Sequence, residues 1–316
     1  MLANTNNHVL WLSINRPKER NSLSSAMLRA LYAHMSEASD NDDIRVIVST
    51  GEGGFFSAGH DLKEVSGRKE HCEPDNEKRV KAVLNDCTQL MMSLVKSPKA
   101  IITCVQGTAS AAGCQLVSMC DLAVTQDQAK FCAPGGNIGI FCTTSLVGIG
   151  RNMHRKHAME IALTGDMFSA EDAMHFGLVN KVVKIEDLKN ETEKLANKIA
   201  QKSAVGIHSG KLAFYQQIEK SIEVAYTSAS QAMLQAMLSD ECEEGVSALF
   251  DKRASYLCLQ IPYLTYVCLL CKYAMTVNVS APPNSRLRMY ENNTLTFNKI
   301  NLYFFTFDYG IAVSNC

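Results

Sequence analysis

The sequence predicts an α/β fold built on a parallel sheet and finished by an all-helical region. Short, β-branched apolar runs alternate with segments of helical period as far as residue 202. From residue 203 to 253 only helical patterning remains. Alternation of this kind builds βαβ units with parallel strands and right-handed crossovers. Hydrophobic residues make up 47% of 316, enough for a full core and too many for a disordered chain.

Residues 8–15 (HVLWLSIN) read as the first strand and 16–20 (RPKER) as a loop. Met27, Leu28, Leu31 and Met35 then recur at helical spacing, with Ser22 or Ser24 as cap. Residues 44–49 (IRVIVS) form a nearly continuous β-branched run, as in a strand covered on both faces. A glycine-rich loop, GEGGFFSAGHD, follows. The next helix carries Val80, Val83, Leu84, Cys87, Leu90, Met91 and Leu94; Pro98 ends it, and 100–105 (AIITCV) is a strand.

Residues 121–125 make a further strand, and helical segments are expected at 156–163 and 169–176. Ser169 and Asp172 start the second of these as a capping-box pair. A strand at 178–183 precedes a helix striped by Leu188, Leu195 and Ile199. The reading is a core over 1–202, a helical region over 203–253 and an atypical tail over 254–316. The helices after 203 have nothing left to cover in their own domain, so an oligomer is expected. In the tail, residues 256–275 are apolar but broken by Gln260, Pro262 and Lys272, a marginal candidate for a membrane span. An irregular tail is the favoured reading, with no membrane partner.

Lysine plus arginine (31) nearly balance aspartate plus glutamate (32), which argues against nucleic acid or an anionic membrane as the main partner. The 12 cysteines lie in apolar stretches without regular spacing, as buried reduced thiols would. Cys268 and Cys271 form a lone CxxC with no second ligand pair, so no metal site is expected. Residues 1–7 are polar and show neither a secretory signal nor a transit segment, which points to the cytoplasm or to a start that lies elsewhere.

Two loops pair small residues with unusual neighbours at strand ends, where parallel sheets place their ligands. They are FSAGHDLKE, from Phe56 to Glu64, and GTASAAGCQ, from Gly107 to Gln115. In each, glycine lets the main chain turn sharply and expose an N–H. In the second, the N–H would sit at a helix start, where the dipole favours negative charge. Two such N–H groups aimed at one point form an oxyanion hole for a thioester enolate. Tight connections alone are the plainer alternative for either loop.

Taken together, FFSAGHDLKE, QGTASAAGCQLVSMCDLAV, FCAPGGNIGIF and ALTGDMFSAEDAMHFGLVNKVV resemble, in order, the crotonase (enoyl-CoA hydratase/isomerase) superfamily. The resemblance runs from about residue 8 to 253. It implies a spiral of ββα units closed by a C-terminal helical trimerisation region over 203–253, and with it a homotrimer or hexamer. It also implies fatty-acid or lipid metabolism, a mitochondrial location, and no cofactor beyond the coenzyme A of the substrate. The backbone N–H groups of His60 and Ala112 would form the oxyanion hole. Ala58, His60, Asp61, Leu62, Lys63 and Ala112 would line the acyl-CoA site. Lys18 and Arg20 are placed to meet the CoA phosphates, or are simply solvated charges.

The departures from the family pattern bear on activity. A hydratase of this family uses two glutamates, one to activate water and one to deliver a proton. Those positions hold Gln115 and Gly135, and the aspartate position of an isomerase branch holds Thr143. An amide cannot take a proton near neutral pH. His60 titrates in the right range, yet a residue offering its N–H inward often turns its side chain away. Cys142 and His154 have no identifiable partner, and Arg151, His154, Arg155, Lys156 and His157 read as a solvated helix end. Three readings stay open: an acyl-CoA-binding protein with an oxyanion hole but no acid/base pair, a non-catalytic binding or assembly protein, and an active hydratase or acyl-CoA decarboxylase.

Overall fold

A computed structural model describes residues 1–66 and 76–255. The membrane candidate at 256–275, the CxxC pair and nearly all of the tail lie outside the described residues.

The chain starts with a hairpin. β1 (Leu2–Asn6) runs antiparallel to β2 (Val9–Ile14) through a two-residue turn at Asn7 and His8. Both turn residues have positive φ, 48° and 64°, the left-handed pair that matches the twist of paired strands. β1 is exposed along its whole length and carries no apolar alternation, so its sequence does not announce it as a strand.

α1 (Ser25–Ser39) follows, and Ser24 caps it by accepting the Met27 N–H at 3.3 Å. The chain then winds as a spiral in which each turn gives one strand to each of two sheets. The first turn is β3 (Val46–Gly51), β4 (Phe55–Ser57), α2 (Leu62–Val65) and α3 (Asn76–Lys96). The second is β5 (Ala100–Val105), β6 (Thr108–Ser110) and α4 (Ala112–Met119). The third is β7 (Leu122–Gln126) and β8 (Lys130–Cys132), then α5 (Ser145–Asn152), α6 (Arg155–Thr164), β9 (Phe168–Ser169) and α7 (Ala170–His175). β10 (Lys181–Val183) and α8 (Ile185–Ala200) complete the body, and α9 (Ala204–Gln217), α10 (Ile222–Met237) and α11 (Asp240–Phe250) stand outside it.

The large sheet has the order β1-β2-β3-β5-β7-β10, parallel except for β1; the small one is β4-β6-β8-β9, parallel except for β9. This is the expected spiral of ββα units. β4, β6 and β8 were not anticipated, because three-residue strands are too short to show a period.

Side chains alternate across the large sheet, as the two-residue strand period requires. Ile47, Ile101 and Val105 face the main core with α1 and α3, while Val46, Val48, Ile102 and Cys104 face α8. α4 is buried on all sides; only Met119 among its residues has notable exposure. The capping box at Ser169 and Asp172 forms as expected.

α9 is moored to the core by a polar cluster. Lys211, its side chain 8% exposed, donates to Asp121 Oδ2 at 2.7 Å and to the carbonyls of Leu94 and Lys99, both at 2.9 Å. Tyr215 donates to Asp121 Oδ1 at 3.0 Å, and the Ile101 N–H donates to Oδ2 at 2.8 Å. Asp121 therefore ties the end of α4, the start of β5 and α9 together. Removing one member of a buried ion pair leaves an uncompensated charge, at a cost of about 3–5 kcal/mol. Lys211→Met is expected to lower unfolding stability by about 3 kcal/mol, read from the urea midpoint at constant m-value.

Candidate active site

The site is built where the β4–α2 loop meets the β6–α4 turn. Gly59 has φ +89°, and a Cβ built on it would lie 2.9 Å from the Ser110 carbonyl oxygen and 3.1 Å from the Ala112 nitrogen. A Cβ on Gly113 would lie 2.4 Å from the Ser57 carbonyl oxygen. Neither glycine can gain a side chain without moving backbone, so the two loops press main chain against main chain.

Each loop is held from behind. Leu23 bridges the first, donating to the Gly59 carbonyl at 2.7 Å and accepting from the Asp61 N–H at 3.2 Å. A parallel bridge of this kind uses the residues on either side of His60, so the His60 N–H points to the opposite side. Ser57 Oγ donates to the Asn21 carbonyl at 2.9 Å and accepts from the Gly59 N–H at 3.2 Å. Asn21 is fully buried, and its amide nitrogen donates to the carbonyls of Glu52 and Phe55.

In the second loop the Ala111 N–H donates to the Cys132 carbonyl at 2.9 Å, and the Ala111 carbonyl accepts from the Gln115 N–H at 2.9 Å. Ala111 adopts φ 48°, ψ −116°, a conformation natural only to glycine, at a cost of about 1–3 kcal/mol. That strain turns Ala112 into the first helical residue of α4, with its N–H free. Among the described residues, neither the His60 nor the Ala112 N–H has an acceptor, and Gly59 brings them side by side. Two free donors, one of them at a helix N-terminus, suit an oxygen that gains negative charge.

The remaining expected residues fall into two sets. Ala58, Leu62 and Lys63 share the first loop and α2; Leu62 and Lys63 are exposed. Asp61 is engaged in structure: it caps α2 through the Lys63 N–H and pairs with Arg16 at 3.1 Å. Lys18 and Arg20 are exposed on the neighbouring turn, joined to the loop by the Ala58 N–H donating to the Arg20 carbonyl. The Arg20 guanidinium lies over the Phe55 ring, 5.3 Å from its centroid.

The helix-end cluster is engaged in structure. His154 Nδ1 caps α6 by accepting the Lys156 N–H, Arg151 pairs with Glu219, and His157 stacks on Phe176 with ring centres 3.7 Å apart. Among the described residues no set of side chains is arranged to hold a metal ion, and no helix is long and apolar enough to cross a membrane.

The whole of this architecture matches known proteins. Residues 4–256 match the family model described as enoyl-CoA hydratase/isomerase. The chain belongs to the enoyl-CoA hydratase/isomerase family. Rat enoyl-CoA hydratase domain-containing protein 3, named as mitochondrial, is 40% identical over 243 residues, covering 76% of this chain and 78% of the relative. Among solved structures, human enoyl Coenzyme A hydratase domain-containing protein 3 aligns at a TM-score of 0.77 and 37% identity, covering 80% of this chain and 98% of that one. An enoyl-CoA hydratase from Mycobacterium smegmatis aligns at 0.76 and 41% identity, covering 80% and 97%.

Within this family frame, the two positions read as departures have distinct physical states. Gln115 is 5% exposed and sits one helical turn beyond Ala111; its Oε1 accepts from the Cys87 thiol of α3 at 3.9 Å. Burial pushes the Cys87 thiol up to about 12, so both partners are neutral. Gly135 is buried, and a Cβ there would lie 2.8 Å from Cys142 Sγ and 2.8 Å from the Ile140 carbonyl oxygen. The Cys142 thiol fills the space a second acid would need. Its own proton is held by burial, as are those of Cys114 and Cys132, which stand around the same helix start. Thr143 is exposed on the following turn.

His60 places both ring nitrogens in buried space without a hydrogen-bond partner among the described residues. Burial depresses its pKa below the ordinary 6.5; the Leu23 backbone and the Glu64 charge oppose this less strongly. The folded protein therefore holds His60 neutral where the unfolded chain would take a proton. Stability from this group is complete above 6.5 and is lost as pH falls from there toward the depressed value. Urea midpoints taken on either side of that pH should fall less on acidification in His60→Leu than in the wild type; equal falls would remove His60 as the source.

Sequence reasoning missed Ala111, Ser57, Asn21 and Cys87, all of which act through partners distant in the chain. Only the serine and glycine spacing of FSAG hinted at the first loop's internal hydrogen bond.

Proposed function

We propose that this chain binds an acyl-CoA thioester and polarises its carbonyl without an acid/base pair for hydration. The carrying observation is the pair of unpartnered N–H groups at His60 and Ala112, held side by side by Gly59. Donors of this kind contribute about 3 kcal/mol each to a developing oxyanion. The family supports a thioester as the ligand, and vertebrate relatives named as mitochondrial support that location and a place in lipid metabolism. Lys18 and Arg20, exposed beside the first loop, supply cations for the CoA phosphates.

Hydration needs a base for water and an acid for the α-carbon. Gln115 is neutral at any ordinary pH, and the volume beside Gly135 is taken by Cys142. The expected result is measurable acyl-CoA binding by calorimetry, with crotonyl-CoA hydration at background when the thioester absorbance is followed. Gln115→Glu alone should leave hydration at background, because the second position stays closed. Robust hydration by the wild type would overturn this reading, and failure to bind any acyl-CoA would remove the thioester altogether.

A role in assembly is favoured by a separate observation. α9, α10 and α11 expose Phe214, Ile222, Tyr226, Met237, Leu249 and Phe250, each more than half accessible. Exposed apolar surface of this extent marks an association face. A homotrimer, alone or paired into a hexamer, is expected in light scattering of the full chain; a monomer at micromolar concentration would contradict it.

A further inference from the structure

We infer that Gln115 makes this site selective for an acyl-CoA whose acyl group carries an anionic oxygen close to the thioester, the malonyl type. The inference rests on the thioester reading above and narrows its substrate class. Gln115 Oε1 is taken by the Cys87 thiol, whereas Nε2 has no hydrogen-bond partner among the described residues. A side chain 95% buried whose amide nitrogen has no protein acceptor leaves that donor to water or to a ligand.

The direction of that donor follows from its place in α4. Helical side chains lean toward the N-terminus of their helix, so Gln115 lies over the turn formed by Ala111 and Ala112. A thioester oxygen at the His60 and Ala112 N–H groups would bring the first carbons of the acyl chain into this same space. An oxygen on that part of the acyl chain meets Nε2 as its acceptor.

The charge of the surroundings decides between an apolar and an anionic acyl group. Among the described residues, Asp61 is paired with Arg16 and Asp86 with Arg29, while Glu64 accepts the Ser25 N–H at 2.6 Å and keeps its charge. Gln115 and Gly135 contribute no negative charge. Among the described residues, the start of α4 presents donors: two backbone N–H groups, the helix terminus and the Gln115 amide. A carboxylate there would gain charge-assisted hydrogen bonds, while a plain alkyl chain would leave the amide unpaired. A glutamate at 115 would reverse this by placing like charges together.

The test is the affinity of the full chain for malonyl-CoA and acetyl-CoA, which differ only by that carboxylate. The wild type should bind malonyl-CoA about tenfold more tightly, the worth of one hydrogen bond to a charged group. Gln115→Met, which keeps the volume and removes the donor, should bring the two affinities together, and Gln115→Glu should invert their order with acetyl-CoA binding kept. Equal affinities in the wild type, or equal loss of both ligands in both variants, would overturn the selectivity and leave thioester binding standing. Failure to bind either ligand would overturn the thioester reading and this inference with it.

Discussion

At two positions between the loops of the site there is no room for a single extra carbon, and the rest of the site depends on them. At Gly59 and Gly113 main chain lies directly on main chain, from strands that neighbour one another in the small sheet. Backbone amides can be presented to a ligand as a fixed pair only if side chains are kept from between them. The supports behind the pair all serve this contact: the Leu23 bridge, the Ser57 hydroxyl, the buried Asn21 amide and the carbonyl of Cys132. Ala111 carries the strain that the contact creates, and a well-packed surround is what keeps so unfavourable a conformation in place.

Around that contact the polar balance is one-sided. Among the described residues, the His60 and Ala112 N–H groups are unpartnered, and the Asp61 and Glu64 carboxylates already accept hydrogen bonds. The cysteines contribute bulk rather than charge, because burial keeps their protons on, and one of them occupies the space beside Gly135. Under the function proposed above, a site of this composition would stabilise negative charge rather than move protons. His60 is the exception in kind, a titratable ring inside the loop, but its buried surroundings hold it in the neutral form.

Much of this was legible in the sequence. The β-branched runs at 44–49 and 100–105 pointed to their strands, the first of which lies two residues further on at 46–51, since a strand covered on both faces is mostly apolar. The small-residue loops were legible because only glycine tolerates the approach they make; the roles proposed for them come from the family resemblance. The short strands of the second sheet were not, because three residues carry no period. The exposed β1 carried no apolar signal. The strained residue was read as one more small side chain. Its conformation depends on a carbonyl contributed by β8, and no local pattern encodes a partner twenty residues away in the chain.

α4 is short, buried on all sides and loaded at both ends. Its first residue offers one of the two free N–H groups, and directly after its last turn stands Asp121, which grips Lys211 and Tyr215 of α9. Eight residues of helix span about 12 Å, with no loop or hinge between the two ends. The free N–H of Ala112 and the Asp121 anchor of α9 thus stand at opposite ends of one unbroken helix. The outer helices and the loop pair are joined through this single short element.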